Sequence, residues 1–459
     1  MSNQFDAIII GTGQSGPPLA ARMTKEGMKT AIIERKLFGG TCVNVGCVPT
    51  KTLVASARAA RMARRGAEFG VTIGGRIEVD MKKVKARKDS VVRRSNEGVA
   101  KWLKGMNNLT VFEGHGTLES ANTVRVNGEL LQAERLVLNP GGRAVVPDMP
   151  GVSDIDYLTN SSMMDVDFLP EHLVVIGGSY IGLEFAQMYR RFGSRVTVVQ
   201  RGPRLIERED EDVSESVKEI LENEGVDVRL DAECTAFQKR GSDIAVTARC
   251  HGDDEQISGS HVLLAVGRKP NTDDLGLDKA GVETDTRGFI KVDDQLRTSV
   301  PGIWAIGDAN GKGAFTHTSY NDYEILAANL FDDDPRRVSD RIVTYGLFID
   351  PPLGRAGMTE KQVRESGRKA LVAKMKMSSV GRARERSETQ GFMKMLVDAE
   401  SKKILGACIL GIGGDEVIHS VLDVMYADAP YTVIKRAVHI HPTVTELIPT
   451  MLEDLQPLE

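Results

Sequence analysis

Phe5-Asp6-Ala7-Ile8-Ile9-Ile10-Gly11-Thr12-Gly13-Gln14-Ser15-Gly16, then a helical stretch, then Thr30-Ala31-Ile32-Ile33-Glu34, is the stretch that decides the fold. A short apolar run closed by glycine reads as a buried strand. Gly11 allows the tight turn out of that strand, Gly13 lets a pyrophosphate approach the backbone, and Gly16 brings helix and sheet together. Pro17 and Pro18 fall in the first helical turn, where missing N–H donors cost least. The helix N-terminus offers partial positive charge to a phosphate, and Glu34 is placed to accept hydrogen bonds from ribose hydroxyls. The pattern is a dinucleotide-binding β-α-β unit.

The plan recurs. His172-Leu173-Val174-Val175-Ile176 leads into Gly177-Gly178-Ser179-Tyr180-Ile181-Gly182, a helix, and Val196-Thr197-Val198-Val199-Gln200. From the first glycine to the residue closing the second strand the interval is 23 in both copies. Two such units imply two dinucleotide sites in an α/β chain. Ser179 stands where the second glycine belongs and permits a close approach at some steric cost. An acid at position 200 would hold the 2′-hydroxyl of NAD and repel a 2′-phosphate. Gln200 is neutral and is followed by Arg201 and Arg204, which leans towards NADPH. Gly267 is expected to complete this second cofactor site.

Composition narrows the classes. The chain has 459 residues, about three folding units at the usual domain size. Hydrophobic residues make up 41% and charged residues 27%, values of a globular protein with a large core. The net charge of −5 gives no electrostatic footprint for nucleic acid or an anionic membrane. Aromatic content is 5%, with only Trp102 and Trp304 as tryptophans, against a stacking platform for single strands. No long apolar run predicts a membrane span, and the N-terminus lacks a basic-then-apolar export signal. Five cysteines, at 42, 47, 234, 250 and 408, are too scattered for a disulfide scaffold and point to a reducing cytoplasm.

The close pair lies in Gly39-Gly40-Thr41-Cys42-Val43-Asn44-Val45-Gly46-Cys47-Val48-Pro49-Thr50-Lys51. Residues five apart on a regular helix are about 8–9 Å apart, beyond the roughly 7 Å that a disulfide tolerates between Cα atoms. A bridge therefore requires an irregular turn, and Gly39, Gly40 and Gly46 supply the backbone freedom. A helix N-terminus beside the pair lowers thiol pKa and favours thiolate chemistry. Metal binding is poorly supported, because no second Cys/His cluster follows at ligand spacing. Further on, Gly302-Ile303-Trp304-Ala305-Ile306-Gly307-Asp308-Ala309 reads as a short buried strand presenting Asp308 at its end. Residues 331–341 form a charged bridge, and 342–459 alternates strand-like runs with helical stretches near 358–366 and 414–428.

With these residues in view, the chain resembles the FAD-dependent pyridine nucleotide–disulfide oxidoreductases, a family that includes dihydrolipoamide dehydrogenase, glutathione reductase and mercuric reductase. The resemblance extends over essentially the full sequence, and the cysteine segment is its most specific part. It implies a discontinuous FAD-binding domain (1–150 and 271–340), an NAD(P)-binding domain (151–270) and an α+β dimerisation domain (341–459). By resemblance Cys47 lies against the flavin as the charge-transfer thiolate, while Cys42 is the interchange thiol that attacks substrate. Lys51 and Glu184 match the pair near flavin N5, Tyr180 the aromatic gate over the nicotinamide site, and Asp308 the acid on the ribityl chain. Gly40 and Thr41 join the flavin contacts. His441-Pro442-Thr443-Val444-Thr445-Glu446 matches the motif in which a histidine, oriented by a glutamate, serves as acid/base from the partner subunit, which implies a homodimer.

Departures bear on substrate. The C-terminus, Asp454-Leu455-Gln456-Pro457-Leu458-Glu459, lacks the vicinal cysteines of mercuric reductases, and the His-Pro-Thr motif is foreign to them. Gln200, Phe315-Thr316-His317-Thr318-Ser319-Tyr320 and Leu138-Asn139-Pro140-Gly141-Gly142 depart from dihydrolipoamide dehydrogenase. The expectation is a cytoplasmic NAD(P)H:disulfide oxidoreductase acting on a small or lipoyl-like disulfide. The alternative is a metal-ion or oxidant-stress reductase using the same flavin–dithiol centre.

Overall fold

The computed structural model describes residues 3–250 and 252–459. The opening apolar run is the strand Gln4–Ile10, fully buried from Ala7 onward. It pairs in parallel with Thr30–Glu34 on one side and Glu129–Leu138 on the other. Leu109–Glu113 extends the sheet in parallel beyond Thr30–Glu34, and the antiparallel strands Thr123–Val126 and Thr117–Ser120 close the other edge. Ile303–Ala305, far away in sequence, pairs in parallel with Leu136–Leu138. The short strand read from the Gly-Asp segment thus belongs to the N-terminal sheet and places Asp308 at the carboxyl ends of its strands, the usual ligand edge of an α/β sheet.

The second nucleotide unit is a separate parallel sheet in the order Asp227–Arg229, Arg195–Val199, His172–Ile176, His261–Leu264. An antiparallel three-stranded sheet covers one face, with Val174, Ile176 and Val262 packed against Phe237, Val246 and Ala248. A two-stranded ladder, Gly142–Ala144 with Arg268–Pro270, forms the crossover between the two units.

The C-terminal part is an antiparallel sheet of six strands carrying the helix Gly414–Tyr426. The helix near 358–366 is Glu360–Glu365. Three further helices, Gly381–Glu385, Thr432–Arg436 and Ile448–Met451, span only four or five residues, too few for an amphipathic period to show in sequence. In this sheet Cys408 pairs with Arg355 on one neighbouring strand and Lys394 on the other. Both cations are buried, and both are met by acids from the second nucleotide unit: Arg355 by Glu209 and Asp210, Lys394 by Asp210 and Asp212. Asp210, Asp212 and Glu360 converge as a metal site would, but the Lys394 ammonium lies 2.5–3.0 Å from all three and supplies the cation. No helix among the described residues is long and apolar enough to cross a membrane.

Candidate active site

The two glycine loops have one construction. Gly11 and Gly177 adopt φ +105° and +112°, and a Cβ on either would strike a carbonyl, that of Asn139 at 2.1 Å or that of Ala265 at 2.5 Å. Gly16 and Gly182 each pack on the first glycine of their own loop, where a Cβ would lie 2.4 and 2.1 Å from its carbonyl oxygen. Pro17 lies in the first turn of the helix Gly16–Lys25, as its missing donor allows. The loops differ at their centres. Gly40 packs on Gly13, where a Cβ on Gly40 would lie 2.8 Å from the Gly13 Cα. The residue matching Gly13 in the second unit, Ser179, is exposed.

Glu34 ends its strand and accepts hydrogen bonds from Thr12, from the backbone N–H at 3.1 Å and the hydroxyl at 2.5 Å. Its carboxylate is thereby fixed beside the first loop. Asp308 lies 3.6 Å from the Arg268 guanidinium, and burial raises its pKa above the usual carboxylate range. Asn139, buried at the end of Glu129–Leu138, packs against Gly11, Gly13 and Gly307. Positive-φ glycines at closest approach, a helix N-terminus, a held carboxylate and a half-buried acid at one sheet edge make a donor set that fits FAD.

The cysteine segment breaks between two helices, Gly40–Asn44 and Cys47–Arg64, with Val45 and Gly46 as the joint. Gly46 is obligatory here: a Cβ would lie 2.8 Å from the Thr41 carbonyl oxygen and 3.1 Å from the Cys42 Cα. The irregularity demanded by the spacing is this joint, and it brings the thiols, both reduced, close enough for each to shift the other's titration. Asn44 donates to the Phe38 and Gly40 carbonyls, and Asn96 to the Phe38 carbonyl, which pins the segment to the helix Met81–Lys104.

The two thiols are not equivalent. The Cys42 thiol, the Thr316 hydroxyl and the Lys51 charge, in that order, lower the Cys47 pKa to about 6 against the opposing effect of burial. Cys42 is pushed well above the thiol range, first by holding its proton towards Cys47 and then by burial. Cys47 is also the first residue of its 18-residue helix, where the helix dipole favours the anion. The pair is therefore a thiolate at Cys47 beside a protonated Cys42.

Lys51, one turn further along, donates to Glu184 at 2.6 Å and lies over the Phe348 ring, 4.3 Å from its centroid. The other Glu184 oxygen accepts the Phe348 N–H at 3.0 Å. This pair ties the cysteine helix to Tyr180–Phe192, the helix of the second unit. At the start of that helix Tyr180 meets Phe315 and Tyr345 edge-on, at 6.1 and 5.6 Å. The Tyr345 hydroxyl donates to Glu209 at 2.7 Å, and the Tyr180 hydroxyl reaches the same oxygen at 3.5 Å.

Cys42, Cys47, Lys51, Glu184 and Tyr180 are thus brought into one region. His441 is not joined to it. Its Nδ1 stands 3.0–3.1 Å from Glu446, and the imidazole is 82% exposed. Beside it Val438 and Ile440 are also exposed, an apolar surface of the kind that marks an interface. Sequence reasoning gave no role to Thr316, Tyr345, Phe348 or Glu209. Only Thr316 left a signal, as part of the departure at 315–320; the others act through contacts between residues far apart in sequence, from 29 positions for Glu209 and Tyr180 to 164 for Phe348 and Glu184.

A family model described as pyridine nucleotide-disulphide oxidoreductase matches residues 5–322, and one for the dimerisation domain of that family matches 343–452. The chain belongs to the pyridine nucleotide-disulphide oxidoreductases. Its relatives in this family include the probable pyridine nucleotide-disulfide oxidoreductase RclA of Escherichia coli, 34% identical over 97% of this chain and 98% of that protein. A dihydrolipoyl dehydrogenase of Thermus scotoductus is 32% identical over 96% of this chain and 95% of its own. A structure described as a Cu(II) complex of HOCl-induced flavoprotein disulfide reductase RclA from Escherichia coli superposes with a TM-score of 0.89 at 33% identity, covering 97% of this chain and 99% of that one. Membership makes the chain a flavoprotein-family oxidoreductase acting on sulfur groups, with a dimerisation domain at its C-terminal end.

Proposed function

We propose that the protein is a cytoplasmic, homodimeric NAD(P)H:disulfide oxidoreductase, organised as the FAD, NAD(P) and dimerisation domains drawn from the sequence. The observation that carries this reading is the asymmetric thiol pair, with the Cys47 thiol lowered to about 6 and Cys42 held protonated. Bound FAD would supply two-electron transfer between nicotinamide and the Cys42–Cys47 pair. Gly11, Gly13, Gly16, Glu34, Gly40, Thr41, Lys51 and Asp308 would hold that group. Gly177, Gly178, Ser179, Tyr180, Ile181, Gly182, Gln200, Arg201 and Gly267 would hold the nicotinamide dinucleotide.

Cys42 attacks the substrate disulfide once its proton has left, and one substrate sulfur departs as a thiol. Cys47 then attacks the Cys42 sulfur, re-forms the intramolecular disulfide and expels the second substrate thiol. Each departing thiolate needs a proton, which the partner's His441 provides, turned by Glu446 so that Nε2 faces the thiols. The exposed imidazole and the apolar residues beside it support a placement across a dimer interface.

Alanine at Cys42 or Cys47 is expected to abolish disulfide turnover while leaving NAD(P)H-dependent reduction of an artificial acceptor intact. Disulfide turnover undiminished in either variant would refute the reading. A second reading is reduction of a soft metal ion by the same centre, favoured by the description of the RclA relative as a Cu(II) complex. Thiolate sulfur suits such an ion. Metal reduction would survive loss of His441, because no sulfur leaving group requires a proton.

A further inference from the structure

In the first nucleotide unit the acid that closes the second strand, Glu34, takes the backbone N–H of the second loop residue, Thr12, at 3.1 Å. The second unit repeats this contact with a neutral group. The Gln200 Oε1 accepts the N–H of Gly178 at 2.9 Å. The other end of the Gln200 amide does not face solvent alone: Nε2 donates to the Glu207 carboxylate at 2.9 Å. Glu207 reaches this place because residue 202 is glycine. A Cβ there would lie 1.6 Å from Glu207 Oε1 and 3.2 Å from Gln200 Nε2. The negative charge absent from position 200 is thus restored beside it, held by Gln200 over Gly202.

We propose that Glu207, presented by Gln200, makes the second dinucleotide site selective for NAD(H) over NADP(H). The proposal rests on residues 177–200 binding a nicotinamide dinucleotide, and it reverses the lean towards NADPH drawn from Gln200, Arg201 and Arg204. A carboxylate at the ribose edge accepts a hydrogen bond from a 2′-hydroxyl and repels a 2′-phosphate. Arg201, Arg204 and Arg208 lie on the same loop, and Arg201 and Arg208 are exposed. None of the three is tied by a side-chain hydrogen bond or ion pair among the described residues, whereas Glu207 is fixed by Gln200. A guanidinium without a partner must be ordered when it binds a phosphate, at a cost in side-chain entropy that the carboxylate already held by Gln200 does not bear, so the positioned charge decides.

The test is calorimetric titration of the oxidised holoenzyme with NAD+ and, separately, NADP+, which reads binding and needs no disulfide substrate. NAD+ is expected to bind about tenfold more tightly, and Glu207→Gln to narrow the gap to about threefold by tightening NADP+. Glu207→Arg should make NADP+ the tighter ligand. Glu207 is exposed, so these variants are expected to fold. Equal or tighter binding of NADP+ by the native protein, or an unchanged ratio in Glu207→Gln, overturns the proposal alone. Binding of neither dinucleotide overturns it together with the cofactor reading of this unit.

Discussion

The Oγ1 of Thr316 stands 3.1 Å from the Sγ of Cys47. Thr316 is the first residue of the helix Thr316–Phe331, and Cys47 is the first residue of Cys47–Arg64. Two helix N-termini therefore meet at one sulfur, with a hydroxyl donor between them.

Because the Cys47 pKa is depressed in the folded protein, its thiolate is present above about pH 6 and is lost as the pH falls through that value. The long-wavelength absorbance of a thiolate stacked on flavin should follow this titration in the two-electron-reduced enzyme. Thr316→Val removes one donor to the anion and is expected to move the midpoint up by about one pH unit, as a hydrogen bond to a charged group implies. A midpoint unmoved in Thr316→Val would show that the hydroxyl does not hold the thiolate.

Gly46→Ala places a methyl group 2.8 Å from the Thr41 carbonyl oxygen. The joint must open, and the thiols separate. The variant is expected to keep its flavin and lose disulfide turnover by about 10²-fold or more, the usual cost of a misplacement near 1 Å in a reacting pair. Thiol counting before and after oxidation, beside steady-state rates, checks it.

Arg355 is buried against Glu209 and Asp210, and Glu209 in turn receives the Tyr345 hydroxyl. Arg355→Met leaves two buried acids short of their cation, an uncompensated charge worth about 3–5 kcal/mol. The thermal midpoint should fall by about 5 °C or more, and adding Glu209→Gln should recover part of the loss. A midpoint unchanged by Arg355→Met contradicts the assignment of this pair as the tie between the second nucleotide unit and the C-terminal sheet.

His441→Gln should lower disulfide turnover by about 10²–10⁴-fold, the range of general acid catalysis, with little change in reduction of an artificial acceptor. Co-expression with Cys42→Ser tests whose histidine serves which thiols. If His441 acts across the interface, mixed dimers regain one working site, about a quarter of native activity for random pairing. No regain would place His441 in its own subunit's site.

The two nucleotide units, the short strand at Ile303 and the cysteine segment were legible because each is written locally, whereas the return of that strand to the first sheet followed only from the family resemblance. Glycine spacing, a short apolar run and a close cysteine pair report backbone conformation directly. The helices of four or five residues were not legible, since a single turn has no period. Nor was the ring of Tyr345, Glu209 and Arg355 around Tyr180, whose hydrogen bonds span 29 to 146 positions. Gln200 shows what a local reading leaves out: the residue is neutral, and the carboxylate it holds lies seven positions later.

The central claim is that Cys42 and Cys47 store two electrons between nicotinamide and substrate. Anaerobic titration of the oxidised holoenzyme with dithionite, followed by absorbance, tests it most directly. The account predicts uptake of four electrons per subunit, with a long-wavelength band rising over the first two and absent in Cys47→Ser. Uptake of only two electrons by the native protein, or the same band in Cys47→Ser, would contradict it.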